Sequence, residues 1–181
     1  MSRRARICLA AAVLAPLVSV TACGVTRDEA PQCGAVERVA IIAQSVPSAS
    51  YVPCLLRLPA GWTSSRFQVR SGRTSYALTS DRAPGHPVVV ELRDRCRPAG
   101  TTPIAARTPG GRTALRVREI DPRYAGTMFD VFPGGCVTYR FDFDRDQHIA
   151  LIAEMEQAVG FVTRDALRLE LHRRLGVELR P

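Results

Sequence analysis

The residues with chemistry to offer are few: three histidines, a run of aspartates, a cluster of arginines and six cysteines. Asp142, Asp144 and Asp146 alternate as the oxygen ligands of a calcium loop do. Such a loop also needs a glycine at its sixth position and a glutamate at its twelfth, and here those positions hold Gln147 and Ala153. The aspartates therefore read as the solvent side of a strand followed by a helix cap. His86, His148 and His172 stand at no metal-ligand spacing and read as surface or rim residues, so neither a metal nor another cofactor is expected. No serine sits in a G-x-S-x-G turn, and no glycine-rich loop leads into a helix. The expectation is a protein that is not an enzyme. A hydrolase assembled from distant residues is the remaining catalytic reading, because catalytic groups meet in space and not in sequence.

Arg93, Arg95 and Arg97 flank Cys96, with Arg107 and Arg112 beyond. Together they are a candidate surface for anionic head groups or for the acidic patch of a partner. The competing reading is a solvated strand end, because the chain contains no lysine and no asparagine and uses arginine for every basic residue. That usage is the mark of a GC-rich coding sequence, so the formal charge of +8 does not argue for nucleic acid, and none is expected as a partner. Trp62 and Tyr124 are candidates to line a ligand pocket; a single tryptophan entering a strand is more often a core anchor.

Arg3, Arg4 and Arg6 precede an apolar run over residues 7–20, and this order is that of a secretory signal. The run is broken by Pro16 and falls short of the roughly 20 residues a membrane-spanning helix needs. Ser2-Arg3-Arg4-Ala5 hints at twin-arginine export, but Arg6 stands where that signal takes an apolar residue, which favours the general secretory route. Val20-Thr21-Ala22-Cys23 resembles the lipobox of bacterial lipoproteins: an aliphatic residue, two small ones and the cysteine that receives lipid. The resemblance implies a diacylglycerol on the Cys23 thiol, cleavage before Cys23 and acylation of the new amino group, palmitate being the kind of chain added. One acyl chain holds a protein only marginally, whereas two or more, at about 0.8 kcal/mol per buried methylene, anchor it stably. The implied location is the outer face of the cytoplasmic membrane, with the membrane itself as first partner. The competing reading is an ordinary signal cleaved after Ala22.

On this reading residues 1–22 are the signal peptide, 23–34 the lipidated tether and 35–181 a single extracytoplasmic domain. Removing Arg3, Arg4 and Arg6 takes the formal charge from +8 to +5. Cys8 leaves with the signal and Cys23 takes lipid. Cys33, Cys54, Cys96 and Cys136 remain, an even number in an oxidising compartment. Cys33–Cys54 and Cys96–Cys136 are the expected pairs, since each joins neighbours in the order the elements arise. Each contributes roughly 3 to 4 kcal/mol on the loop-entropy account. No C-x-x-C knuckle supports a zinc site instead.

The pattern of the rest supplies the elements. Val36, Val39, Ala40 and Ala43 form a helical stripe over residues 35–44, stopped by Pro47, with a strand as the competing reading because Val39 to Ile42 is continuously apolar. Residues 46–54 read as a turn-rich link. A hairpin with a two-residue Ser71-Gly72 loop spans 62–69 and 73–79, and Val88-Val89-Val90-Glu91-Leu92 is a strand that delivers Cys96. Residues 97–111 read as a long loop and 113–120 as a half-buried strand. A second hairpin covers 128–132 and 136–143, with Val137, Tyr139, Phe141 and Phe143 on one face and Thr138, Arg140 and Asp142 on the other. A helix over 146–159 is ended by Gly160, and a last helix begins at a Thr163 cap and stops at Gly176. The fold expected is α+β: an antiparallel sheet of about six strands with an N-terminal helix and two C-terminal helices packed on one face, braced by two disulfides.

Beyond the lipobox, Val46 to Ala49, Pro53-Cys54, the stretch 58–62 ending at Trp62, and 132–139 ending at Tyr139 resemble stretches of actinobacterial lipoproteins of unknown function. That resemblance implies no activity. The leading expectation is a non-enzymatic binding module of the cell envelope, lipid-anchored and engaging another envelope protein. The alternative is a carrier of lipid or a small ligand, which requires an apolar cavity of several hundred Å³ between sheet and helices.

Overall fold

The computed structural model describes residues 29–179. The expected signal peptide, Cys23 and the first part of the expected tether lie outside the described residues. Chain order is α1 (Val36–Ser45), β1 (Tyr51–Leu55), β2 (Trp62–Arg70), β3 (Arg73–Ser80), β4 (Val88–Arg93), β5 (Thr102–Ile104), β6 (Arg112–Glu119), β7 (Arg123–Phe132), β8 (Gly135–Asp144), α2 (His148–Ala158), β9 (Val159–Thr163) and α3 (Arg164–Leu175). Seven strands form one antiparallel sheet in the order β2-β3-β4-β8-β7-β6-β5, and β1 pairs with β9 in a separate antiparallel ribbon. The fold is thus α+β, as expected, with more strand than the sequence pattern shows.

Alternation decides which face of the sheet is dry. Tyr76, Val90 and Tyr139 stand opposite one another across β3, β4 and β8, and Met128 continues the row on β7. Leu78, Val88, Leu92, Val137, Phe141 and Phe143 share that face, and all are buried. Helix α1 lays Val36, Val39, Ile42 and Ala43 against the same core, and α2 adds Leu151 and Met155. Helix α3 packs on α1 and β9, presenting Leu167 and Leu171. Thr163 Oγ1 accepts from the Ala166 N–H at its start, and Gly176 ends it in the left-handed region at φ 64°. Phe141 and Phe143 stack with ring centroids 5.8 Å apart, and the space between sheet and helices is filled by such side chains.

Both disulfides join the expected partners, Cys33–Cys54 and Cys96–Cys136. Three segments differ from the sequence pattern. Residues 51–54, read as part of a link, form β1 together with Leu55, because Val52, Cys54 and Leu55 are buried and Pro53 is tolerated in a two-stranded ribbon. Gly160, read as a helix stop, lies inside β9 opposite Cys54, and α2 ends one residue before that strand begins. The long loop at 97–111 contains the short β5. Helix α2 starts at His148, after the aspartate read as its cap, and its N-cap residue Gln147 makes no side-chain capping bond.

Candidate anion-binding groove

The face of the sheet turned away from the helices is built in register. Arg116 of β6, Thr127 of β7 and Arg140 of β8 stand directly opposite one another. One row along come Phe129, Thr138 and Glu91, and one row further Cys136 and Arg93. Each row follows from the two-residue period of a strand, which sends Thr138 and Arg140 outward for the same reason that it sends Tyr139 and Phe141 inward. The Cys96–Cys136 bond then pulls the segment after β4 back over the sheet. Arg116 Nη2 donates to the Arg97 carbonyl at 3.0 Å and also to the Ala99 carbonyl, which fixes that segment as a wall. The result is an open groove of about 430 Å³ lined by Arg93, Arg95, Arg97, Arg116 and Arg140, with Phe129, Thr127 and Thr138 in its floor.

Glu91 is the single acidic lining residue among the described residues. Its side chain is 2% exposed, and it forms ion pairs with Arg73 at 2.9 Å and with Arg93. A carboxylate buried to that degree needs such partners, and here they neutralise it. Arg116 is spent on the loop carbonyls and on Phe129, whose ring centroid lies 5.1 Å from its guanidinium carbon. Arg95 is exposed and, among the described residues, meets only the neighbouring Asp94, at 3.8 Å. Arg97 and Arg140 are exposed and pair with no carboxylate among the described residues. The groove therefore carries an excess of positive charge on side chains that present planar, forked donors to a carboxylate or phosphate.

The structure brings together Arg93, Arg95 and Arg97 as the sequence suggested, and it removes Arg107 from that group. Arg107 lies on the opposite, helix-covered side. Its Nη1 donates to Asp130 Oδ2 at 2.9 Å, and its Nη2 donates to the carbonyls of Glu156 and Val159, each at 2.7 Å. Asp130, 1% exposed, also accepts from Thr113 Oγ1 at 2.6 Å. Burial lowers the Arg107 pKa, and the adjoining Tyr139 and Asp130 more than restore it, leaving it raised. Burial, then the Asp130 charge, holds the Tyr139 phenol well above its ordinary value. Arg112 borders a separate depression with Val131 and Phe132.

The other candidates are structural. Trp62 is buried and donates through Nε1 to Glu154 Oε2 at 2.7 Å. Tyr124 stacks between Phe141 and His148. Asp142 and Asp144 are held by Arg123 at 2.5 and 2.7 Å, and His86 lies 3.9 Å from Asp142. His172 is exposed on α3. No group of three or more metal-ligating side chains occurs among the described residues. No helix among them is long and apolar enough to cross a membrane.

Arg116, Arg140, Thr127 and Phe129 escaped the sequence reading. Alternation along β8 already sent Arg140 outward; what joins it to Arg97 is the strand order β4-β8-β7-β6, which no local spacing carries. Comparison with protein-family models, with curated proteins and with solved structures finds no match to this chain.

Proposed function

We propose that this protein is a lipid-anchored, non-enzymatic binding module of the cell envelope, held through Cys23 at the outer face of the cytoplasmic membrane. The arginine groove on the helix-free face of the sheet is the observation that carries this reading. It is preformed, braced by a disulfide and positively charged, and the residues around it offer recognition groups without a nucleophile and base in contact.

The carrier alternative asks for an apolar cavity between sheet and helices. That space holds Tyr76, Tyr139, Phe141, Phe143, Leu151 and Met155, all fully buried. The binding module is therefore the better-supported reading.

Two measurements test it. Cys23→Ala is expected to move the protein from the membrane fraction to the soluble extracytoplasmic fraction; retention in the membrane would sink the anchor. A photo-crosslinking residue at Thr127, in the groove, is expected to trap envelope components that the same residue at exposed Leu169 on α3 does not. Equal trapping at both positions would remove the groove from the proposal.

A further inference from the structure

The two ends of the groove are spaced like an extended chain. Arg140 and the position opposite Arg93 are four residues apart on β8, which places the two arginine rows about 14 Å apart. Arg116 and Arg140 are separated by the width of two strand spacings, about 10 Å, with Thr127 between them. The middle of the floor is neutral: Phe129, Thr138 and a Glu91 already paired with two arginines. A ligand matched to this floor has an anionic group at each end and an uncharged, partly apolar stretch between. An extended peptide with carboxylates at positions i and i+4 has that spacing, since its own rise is the same about 3.4 Å per residue.

We infer that the groove docks an acidic peptide segment of another envelope protein, extended, with one carboxylate at Arg140, beside the loop-bound Arg116, and a second at Arg95, beside the Arg93–Glu91 pair. The inference rests on the binding-module reading and names its partner. Charge complementarity supplies the recognition, because the groove presents Arg95, Arg97 and Arg140 without a balancing acid in its lining. Arg116 acts as a positioning residue for the loop as much as a contact, since two of its bonds go to carbonyls of that loop. Arg95 and Arg140 hold neither the loop nor Glu91, so they are the positions where charge can be removed with the wall left standing.

The test uses the full lipidated protein purified from membranes in detergent, with fluorescence anisotropy of labelled nine-residue peptides. One peptide carries glutamates at positions 3 and 7 among serines and alanines; its isomer carries them at 4 and 5. The spaced peptide is expected to bind at least tenfold more tightly than the adjacent isomer, and binding is expected to weaken as salt rises. Arg140→Gln and Arg95→Gln are each expected to weaken it at least fivefold, while Arg168→Gln on α3, an equal change in charge, leaves it unaltered. The inference is overturned if the isomers bind alike, if Arg140→Gln and Arg95→Gln have no effect, or if inorganic phosphate or phosphatidylglycerol dissolved in the same detergent micelles outcompetes the spaced peptide. Peptide failure alongside groove-specific crosslinking from Thr127 would reject the acidic peptide and leave the module. Failure of both would reject both.

Discussion

Arg107 meets Asp130 beneath the helices, while Arg95, Arg97 and Arg140 face water on the other side of the same sheet. The same residue type therefore does two kinds of work, and substitution separates them. Arg107→Met strands an Asp130 carboxylate that is 1% exposed, and removing one partner of a buried pair costs about 3–5 kcal/mol. Urea unfolding is expected to show a loss of that size, and Arg107→Met with Asp130→Leu is expected to recover part of it, since the stranded charge is gone. Arg140→Gln is expected to change stability by no more than about 0.5 kcal/mol, the usual range for an exposed site away from packed features. A loss for Arg107→Met as small as that for Arg140→Gln would show that the pair is not buried as described.

At the scale of elements, the segment between β4 and β5 owes its position to one covalent bond and one side chain. Cys96→Ser with Cys136→Ser opens a loop of sequence separation 40, worth roughly 4 kcal/mol of unfolded-state entropy. It also leaves Arg116 alone to hold the wall. Circular dichroism of the double variant at room temperature is expected to keep the strand signal, with a lowered urea midpoint and a weakened hold on the spaced acidic peptide. Unchanged peptide binding would mean that the wall does not depend on the staple. Both hairpins and the caps of α3 were legible in the sequence because their signals are local: Ser71-Gly72, Pro133-Gly134, alternation through Val137 to Phe143, Thr163 and Gly176. The pairing of Cys33 with Cys54 and of Cys96 with Cys136 was legible by chain order. Strands β1 and β9 were not, because Pro53 and Gly160 are poor strand residues in isolation and become strand only through each other. Arg93, Arg95 and Arg97 were legible as a cluster, whereas Arg116 and Arg140 joined them only through strand order, and Arg107 was misplaced because burial on the far face is decided by Asp130, 23 residues away.

For the molecule as a whole, the aromatic layer between sheet and helices ties stability to alkaline pH. Tyr76 and Tyr139 are fully buried, and burial raises both phenols above the ordinary value near 10. Below that value both folded and unfolded chains keep the protons, and stability does not depend on them. As pH climbs through about 10, the unfolded chain releases protons that the folded one retains, so stability falls by up to about 1.4 kcal/mol per pH unit for each phenol. Urea midpoints measured at pH 8, 9 and 10.5 are expected to be level and then drop, and Tyr76→Phe is expected to shrink the drop. Tyr76 Oη has no hydrogen-bond partner among the described residues, so that replacement is expected to cost little at neutral pH. A drop unchanged by Tyr76→Phe would place its origin elsewhere. The Cys33–Cys54 bond has a mechanical consequence. Tension applied to the chain ahead of Cys33 crosses the bond to Cys54 in β1, bypassing the intervening chain, of sequence separation 21, that includes α1. Helix α1 is thereby shielded from pulling, and the load passes through the β1–β9 ladder toward α3, with the groove on the opposite face of the sheet outside the direct line of force.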